Sequence, residues 1–180
     1  MILTPSGQVL TNNHLIRDAT QITATMPGRG TTYQATVVGA DSTADVALLQ
    51  LHGVSGLPTV PLADPATTTV GQPIVAIGNA HGLGGTPVAT KGTVSAEDQT
   101  VNVLTDTGPS EHLTGLLQVT ASVTPGCSGG PLVDGAGQVV GMDTAAVLPQ
   151  GSQTSTTGYA IPLARAEQVV TSLRAGASGS

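Results

Sequence analysis

A serine and a cysteine stand side by side in TPGCSGGPLV, a glycine-rich stretch that leads into an apolar run. A serine hydroxyl is a weak nucleophile, so it needs a base within hydrogen-bond reach, a group that orients the base, and donors for a developing oxyanion. Two glycines follow Ser128 and Gly126 precedes it, so the backbone can bend until the amides of Gly126 and Ser128 point into one hole. The stretch therefore predicts a turn that carries a nucleophile.

Two other interpretations of the same stretch stay open. A plain β-turn requires nothing from the rest of the chain. A phosphate-binding loop is disfavoured, because no lysine follows the glycines and the next residues have strand character rather than helix character.

The candidates for the base are four histidines, and one aspartate stands out as the orienting acid. His14 ends VLTNNH, where an apolar strand gives way to polar residues, while His52, His81 and His112 lie in other contexts. Asp45 opens the apolar run DVALLQL, a place where a carboxylate becomes partly buried and stays ionised only with a partner. Taken alone, each histidine also fits an ordinary surface position, and Asp45 also fits the end of a turn.

The elements that must position these residues are short β-type runs bounded by Gly, Pro, Asn, Asp and Thr, such as QVLTNNH, VALLQL and PIVAIG. Many such runs with turns between them predict an all-β barrel or sandwich. Near the C-terminus, PLARAEQVVTSLRAG has apolar residues at helical spacing and predicts a helix. A Pro-, Thr- and Gly-rich stretch, Gly56 to Pro73, predicts a boundary between two lobes. We therefore expect a first lobe over residues 1–65 and a second over 66–162. A helix over 163–175 and a flexible tail over 176–180 should follow.

Composition excludes several classes of function for the 180-residue chain. Its formal charge of -6 supplies no basic footprint for nucleic acid. No apolar run reaches the roughly 18 residues of a membrane span, and no signal peptide is recognisable. One cysteine cannot form an intramolecular disulfide, and no His, Cys and Asp spacing is typical of zinc or calcium, so we expect neither a metal nor another cofactor.

Three segments in the order His, Asp, Ser carry a resemblance to a known family. VLTNNHLI, TADVALLQL and TPGCSGGPLV resemble the signature segments of the chymotrypsin-fold serine proteases, specifically the HtrA-like bacterial branch, and are most similar to actinobacterial secreted PepA-type trypsin-like proteases. The likeness extends through IVAIGNAHGLGGTP, GQVVGMDTAA and GYAIPLARAEQVVTSLRAG, so it covers nearly the whole chain.

For the reacting groups, the resemblance implies His14 as the general base, Asp45 as its orienter and Ser128 as the nucleophile. The oxyanion hole would be formed by the amides of Gly126 and Ser128, with Cys127 on the turn between them. Related viral enzymes use a cysteine directly before the two glycines, and Ser128 occupies that position here. The register therefore favours Ser128 over Cys127 as the reacting residue.

For the fold, the resemblance implies two packed six-stranded barrels with the site in the cleft between them, followed by a C-terminal helix. Because MILTPSGQVL has room for only the end of a first strand, we expect the first barrel to lack its N-terminal strands. The family also implies a location outside the cytoplasm. Members often trimerise through N-terminal segments and carry a PDZ domain after the helix, so the oligomeric state stays open.

For the substrate, the resemblance implies an extended polypeptide paired with the backbone edge of GMDTAA. The walls of the primary specificity pocket would come from two short segments, Ser122, Val123, Thr124 and Met142, Asp143, Thr144. These walls are small, apolar or hydroxylated, and the alignment puts no carboxylate at the base of the pocket. We therefore expect cleavage after small or medium aliphatic residues rather than after Lys or Arg.

Two functions remain in competition. The first is a serine endopeptidase that hydrolyses unfolded or flexible polypeptides through an acyl-enzyme. The alternative is a catalytically silent, protease-like module that binds peptides, or an inactive fragment, because Cys127 stands where the family carries Asn or Asp and a thiol is a weak hydrogen-bonding group.

Overall fold

The structure is a computed structural model that describes residues 1–27, 30–79, 85–105, 108–121, 126–146 and 157–177. The described part is mostly β with a helix at its C-terminal end, which confirms the expected class. The strands are β1 (Gln8–Thr11), β2 (Ile22–Thr25), β3 (Thr32–Asp41), β4 (Val46–Leu51), β5 (Pro73–Gly78), β6 (Val88–Thr105), β7 (Gly108–Val119), β8 (Pro131–Val133), β9 (Val139–Ala146) and β10 (Gly158–Pro162). The helix is α1 (Leu163–Ala177), which includes the predicted helix and continues to Ala177.

The first unit is a four-stranded antiparallel sheet with the order β1-β4-β3-β2. Its inner strand β4 is apolar at every position except Gln50, because both of its faces are covered. Leu48 on one face packs toward α1 and the second unit, whereas Leu49 and Leu51 on the other face pack with Ala35 of β3. The expectation of an incomplete first barrel is thereby confirmed.

The second unit is a closed antiparallel barrel with the order β10-β7-β6-β5-β8-β9. Closure leaves no edge strand to protect. Its interior is filled by aliphatic side chains and contains no aromatic ring among the described core residues, with Leu132, Val119 and Val140 fully buried. The connection between β4 and β5 also reaches this barrel, since Val139 accepts a hydrogen bond from Ala63 and donates one to Pro61.

Helix α1 and a shared apolar core join the two units. The helix buries Leu163, Ala166 and Val170, which recur at helical spacing on one face. Ala166 and Val170 belong to a core cluster that also contains Leu48 of the first sheet and Met142 of the barrel. The positions of the two units relative to one another, and of any site between them, therefore depend on this cluster.

Candidate active site

His14 and Asp45, predicted as base and orienter, are bonded to each other through both carboxylate oxygens. The Nδ1 atom of His14 lies 2.8 Å from Oδ2 of Asp45, and the backbone N–H of His14 donates to Oδ1 at 2.9 Å. Because an ionised carboxylate accepts hydrogen bonds and cannot donate them, this contact assigns the imidazole proton to Nδ1. Nε2 is then left as the basic nitrogen, which is the tautomer that a general base requires.

The local fold explains why these two residues meet. Strands β1 and β4 are antiparallel neighbours with Thr11 opposite Ala47, so the residues after β1 and before β4 lie at the same end of the sheet. Asp45 has a φ of 54°, a left-handed conformation that aspartate tolerates better than most residues. Its carbonyl oxygen accepts hydrogen bonds from the Asn12 side chain at 3.0 Å and from the Asn13 amide at 3.3 Å. These bonds fix the backbone from which the carboxylate projects.

The Asp45 carboxylate is fully buried, while the His14 side chain is 26% exposed. Besides its two bonds to His14, Asp45 accepts a hydrogen bond from the hydroxyl of Thr144 at 2.5 Å. A buried carboxylate is costly unless donors replace its hydration, and these three donors do so. The result is a fully buried acid bonded to an imidazole that is partly exposed to solvent.

Thr144 also connects this pair to Ser128. The Ser128 hydroxyl donates to the backbone carbonyl of Thr144 at 3.2 Å, while the Thr144 side chain donates to Asp45. The hydrogen bond of Ser128 is thus directed at Thr144 and not at His14. One residue of β9 therefore contacts both the acid and the serine, and brings the three predicted residues into one site.

The turn that carries Ser128 is held to β9 by backbone hydrogen bonds. The Gly129 amide donates to the Asp143 carbonyl at 2.8 Å, and the Asp143 amide donates to Gly130 at 2.9 Å. Gly130 in turn donates to Cys127 at 2.9 Å. The φ angles of Gly126 and Gly129, 93° and 78°, lie in the region that favours glycine. The glycines of the sequence pattern are therefore required by the shape of this turn.

Cys127 points into the second barrel and not toward the site. It is 7% exposed and belongs to the apolar core of the barrel. Its sulfur would lie 2.9 Å from a Cβ atom placed on Gly78, so the thiol packs tightly against the end of β5. Ser128 is the more accessible of the two neighbours.

The other residues singled out by the sequence have different environments. His52 and His112 are exposed and bond to Thr36 and Asn102, away from Asp45. Met142, Asp143 and Thr144, predicted to wall a pocket, have side chains that are 1%, 0% and 4% exposed. His81 lies outside the described residues, as do the other predicted pocket residues, Ser122, Val123 and Thr124.

Sequence reasoning missed two supporting contacts, those of Asn12 and the Thr144 hydroxyl. Asn12 is fully buried and donates to the backbone of Asp45. Its position two residues before His14 was a usable signal for such a contact, because a buried side-chain amide needs a hydrogen-bond partner. Thr144 lies 99 residues from Asp45 in the chain, and no local pattern predicts that contact.

Asp143 is a second buried carboxyl group next to the Ser128 turn. Among the described residues, neither of its carboxyl oxygens has a hydrogen-bond partner. Burial raises the pKa of Asp143 to about 8 from the usual 3.8, because the ionised form would lose its hydration without compensation. Asp143 therefore carries a proton at neutral pH, whereas a solvent-exposed aspartate is ionised.

Within the described ranges, no group of three His, Cys, Asp or Glu side chains is arranged to hold a metal ion. Over the same part of the chain, no helix combines the length and apolar character needed to cross a bilayer.

Comparison with known proteins identifies the class. The family model described as trypsin-like peptidase domain matches residues 1–142. The serine protease PepD of Mycobacterium tuberculosis is 36% identical over 187 residues, which cover 96% of this chain and 40% of PepD. A probable periplasmic serine endoprotease, DegP-like, of Rhizobium meliloti is 38% identical over 171 residues, which cover 95% of this chain and 32% of the relative.

Solved structures agree with this class. An HtrA-type protease, AlgW with decapeptide, has a TM-score of 0.81 and 33% identity, covering 96% of this chain and 50% of the AlgW chain. The chain therefore belongs to the trypsin-like peptidase family, among the HtrA-type serine proteases. It spans half or less of the length of these three relatives.

Because the pKa of Asp143 is raised in the folded chain, we expect the stability of the fold to depend on pH. Since the folded pKa lies above the unfolded one, the folded chain binds the proton between about pH 4 and pH 8 where the unfolded chain releases it. The stability associated with this group is complete below pH 4 and is lost as the pH rises toward 8. Asp143→Asn, which stays neutral, should therefore gain melting temperature relative to the parent as the pH rises, by about 2–4 °C for each kcal/mol relieved.

Thermal unfolding of both proteins at pH 4, 6 and 8 measures this difference. Asp98→Asn is the matched control, because Asp98 is exposed and has a left-handed φ of 52° that asparagine also tolerates. A melting-temperature difference between parent and Asp143→Asn that stays constant over this pH range contradicts the prediction.

The Thr144 hydroxyl predicts a specific stability loss. Thr144→Val keeps the shape of the side chain but removes a donor to the buried Asp45 carboxylate. A hydrogen bond to a charged group contributes about 1.5–3 kcal/mol, so the free energy of unfolding in urea should fall by that amount. Thr144→Ser keeps the hydroxyl and should recover most of it; equal losses in the two variants would mean that the hydroxyl is not the cause.

Proposed function

We propose that this chain is the catalytic part of a serine endopeptidase that hydrolyses unfolded or flexible polypeptides through Ser128, His14 and Asp45. The observation that carries the proposal is the pair of hydrogen bonds that Asp45 accepts from the imidazole and the backbone N–H of His14, which fixes both the ring and its tautomer. The contact of Ser128 with Thr144, itself bonded to Asp45, supports the inclusion of the serine. Membership in a serine protease family agrees with the same assignment.

The reaction begins with a rotation of the Ser128 side chain. Its hydroxyl leaves the Thr144 carbonyl, where it is bonded at 3.2 Å, and turns toward Nε2 of His14. Such a change is a rotation about one side-chain torsion between staggered positions, and catalytic hydrogen bonds often tighten only when substrate is bound. His14 then takes the serine proton as Oγ attacks the peptide carbonyl carbon, and Asp45 stabilises the resulting imidazolium.

The oxyanion of the tetrahedral intermediate would be held by the amides of Gly126 and Ser128. Among the described residues, no bond from either amide to a backbone carbonyl is found. Both amides project from a turn that the bonds of Gly129 and Asp143 hold to β9. Preorganised donors of this kind stabilise the charge that develops in the transition state.

Acyl transfer then proceeds in two halves. His14 gives its proton to the nitrogen of the departing chain, the C–N bond breaks, and the acyl group stays on Ser128 Oγ. A water molecule attacks the ester carbon, gives its proton to His14, and the acyl group leaves as a carboxylic acid while Ser128 regains its hydroxyl proton. Neither half requires a metal or an organic cofactor.

The substrate backbone would pair with the end of β9. In the described registers, β8 pairs with β9 only as far as Pro131 opposite Met142, so the edge of β9 from Thr144 to Ala146 extends beyond β8 beside Ser128. An extended peptide can add to such an edge through main-chain hydrogen bonds. Because the side chains of Met142, Asp143 and Thr144 are buried, this segment would contribute mainly its backbone.

The descriptions of two related proteins support the proposed substrate class and location of this chain. The AlgW structure is described as containing a decapeptide, and the Rhizobium meliloti relative is described as periplasmic. We extend both to this chain: a polypeptide substrate and a place outside the cytoplasm.

A catalytically silent peptide-binding module is the second candidate. The observation that favours it is the direction of the Ser128 hydroxyl, which donates to Thr144 and not to His14. The first unit is a four-stranded sheet and not a closed barrel, which also favours the silent module, because His14 follows a strand of this sheet.

Labelling with a fluorophosphonate separates the two candidates. An active serine should form a covalent adduct in the parent, and Ser128→Ala should form none. His14→Ala should lower the labelling rate by several orders of magnitude, as in other triads. Cys127→Ser should still be labelled, because the thiol faces the barrel core.

Absence of labelling in the parent would favour the silent module, provided that circular dichroism shows a folded protein. Labelling that survives in Ser128→Ala but disappears in Cys127→Ser would reassign the nucleophile to Cys127.

Cleavage specificity follows from the predicted pocket walls. We expect a peptide library to be cut mainly after Ala, Val and other small or medium aliphatic residues. The backbone of Met142 to Thr144 is uncharged, and burial keeps the Asp143 carboxyl protonated at neutral pH, so this segment offers no partner for a cation. Mass spectrometry of the products reads the residue before each cut. A profile dominated by Lys or Arg at that position contradicts the proposed pocket.

A further inference from the structure

Asp143 carries a carboxyl group that the proposed reaction does not use. Its side chain is 0% exposed, and among the described residues neither carboxyl oxygen has a hydrogen-bond partner. A buried polar group without a partner is rare in folded proteins, and it needs a physical explanation. A carboxyl group in this situation is tolerated in a protein interior while it is uncharged, because its ionised form would lose its hydration without compensation.

The side chain of Asp143 faces the interior of the second barrel. In the pairing of β9 with β10, Asp143 lies opposite Ala160. Residues that lie directly opposite one another on paired strands share a face of the sheet, and Ala160 belongs to the core of the barrel. The neighbouring pair, Met142 and Ile161, belongs instead to the cluster shared with the first sheet. The Asp143 carboxyl is therefore directed into an aliphatic core.

No cationic side chain belongs to the described core that this carboxyl faces. Cys127 is the one titratable member of the buried cluster, and the amino group of Met1, which packs against the cluster, is bonded to the Leu10 carbonyl. Asp45 and His14 are reached from β9 through the hydroxyl of the next residue, and a neighbouring carboxylate disfavours the ionisation of another. The charged residues of β6 and β7 whose side chains are described are exposed. The titratable residues of the other elements around β9 lie outside the cluster and are exposed or half-buried: Asp64, Asp134, Tyr159, Arg165, Glu167 and Arg174.

The backbone of the same residue holds the turn that carries Ser128. The Asp143 carbonyl accepts a hydrogen bond from the Gly129 amide at 2.8 Å, and the Asp143 amide donates to the Gly130 carbonyl at 2.9 Å. Both bonds join residues that directly follow Ser128 in the chain. The position of the nucleophile is therefore tied to the position of the residue whose side chain has no partner.

The residue after Asp143 is an extra residue in β9. Tyr159 of β10 lies opposite Ala145, and the next residue of β10 lies opposite Asp143, so Thr144 has no partner in this ladder. A bulge of this kind locally disrupts the ladder and bends the strand. The ladder therefore holds β9 less firmly just where Asp143 leads into the residue that contacts Ser128.

We propose that Asp143 is a positioning residue whose uncharged carboxyl keeps β9 and the Ser128 turn in place, and that ionisation of this carboxyl releases the turn and stops acylation. The inference rests on the proposed function and deepens it, because it adds regulation by pH to the same site. An ionised carboxyl must regain water or donors, and a fully buried side chain reaches them by moving β9. Such a movement breaks the two backbone bonds to the turn and displaces Ser128 from His14.

The rate of labelling by a fluorophosphonate, measured between about pH 6 and pH 10, tests this role. In the labelling reaction Ser128 Oγ forms a bond to phosphorus, fluoride leaves, and His14 takes the serine proton. Because burial raises the pKa of Asp143 to about 8, the second-order rate constant of the parent should fall about tenfold for each pH unit above that value. Far-UV circular dichroism should show a folded protein throughout, and return to neutral pH should restore the rate.

Asp143→Asn and Asp143→Val remove the ionisation and should remove the alkaline decline. Neither substitution breaks a side-chain hydrogen bond among the described residues, because the carboxyl makes none there. At a pH about 1.5 units above the pKa, each variant should be labelled about 10- to 30-fold faster than the parent. Cys127→Ser should keep the decline, which excludes the thiol as its origin, and so should the exposed matched control Asp98→Asn.

Carbon-13 NMR of the parent, labelled at the carboxyl carbons of aspartate, identifies the titrating group without any substitution. One carboxyl resonance should titrate at the pH at which labelling declines, whereas an exposed aspartate titrates near pH 4. This measurement decides the proposal even where neither Asp143 variant folds: the absence of an aspartate resonance that titrates above pH 7 overturns it.

The remaining outcomes separate the positioning role from the proposed function. A parent that is labelled at pH 7 but shows no alkaline decline overturns the positioning role alone. The same conclusion follows if the decline persists in folded Asp143→Asn and Asp143→Val, disappears in Cys127→Ser, or accompanies a loss of the circular dichroism signal. A folded parent that takes up no fluorophosphonate at pH 7 overturns the proposed function itself, and the positioning role with it.

Discussion

The buried carboxylate of Asp45 is the constraint on which the site depends. An ionised carboxylate without donors is far too costly to keep in a protein interior, so its position is tolerated only where donors are supplied. His14 supplies two of them from the first sheet, and Thr144 supplies the third from the second barrel. The third donor reaches Asp45 only when the two units are docked, which couples their docking to the full set of hydrogen bonds on the carboxylate.

The shared core supplies the force for that docking. Leu48 of the first sheet, Met142 of β9 and Ala166 of α1 belong to one buried cluster. Apolar burial is not directional, whereas the hydrogen bonds at Asp45 are. The core brings β9 against the first sheet, and Thr144, two residues after Met142, then fixes the register of that contact.

How much of this could be read from the sequence depends on the chain distance of each contact. The residues alone left four histidines as candidates, and the resemblance of the segments around His14 and Asp45 to a known family selected this pair. The antiparallel register of β1 and β4 explains why the two residues meet. The bonds of Thr144 were not predictable, since a threonine in an apolar strand has no local feature that identifies a partner 99 residues away. The burial of Asp143 was also unforeseen, because a carboxylate in GMDTAA looks like a surface or pocket residue until the barrel closes around it.

Cys127 and Asp143 together explain how the Ser128 turn keeps its shape with a thiol where the resemblance leads us to expect Asn or Asp. A thiol is a weak hydrogen-bonding group, and here it is packed into the barrel wall against Gly78. The turn is instead held by main-chain bonds, from Gly129 to the Asp143 carbonyl and from the Asp143 amide to Gly130. Because backbone bonds do not depend on side-chain identity, the turn tolerates the thiol, and the geometry around Ser128 then depends on where β9 lies. The same strand thus holds the serine turn through Asp143 and the buried acid through Thr144, so a displacement of β9 would disturb both halves of the site at once.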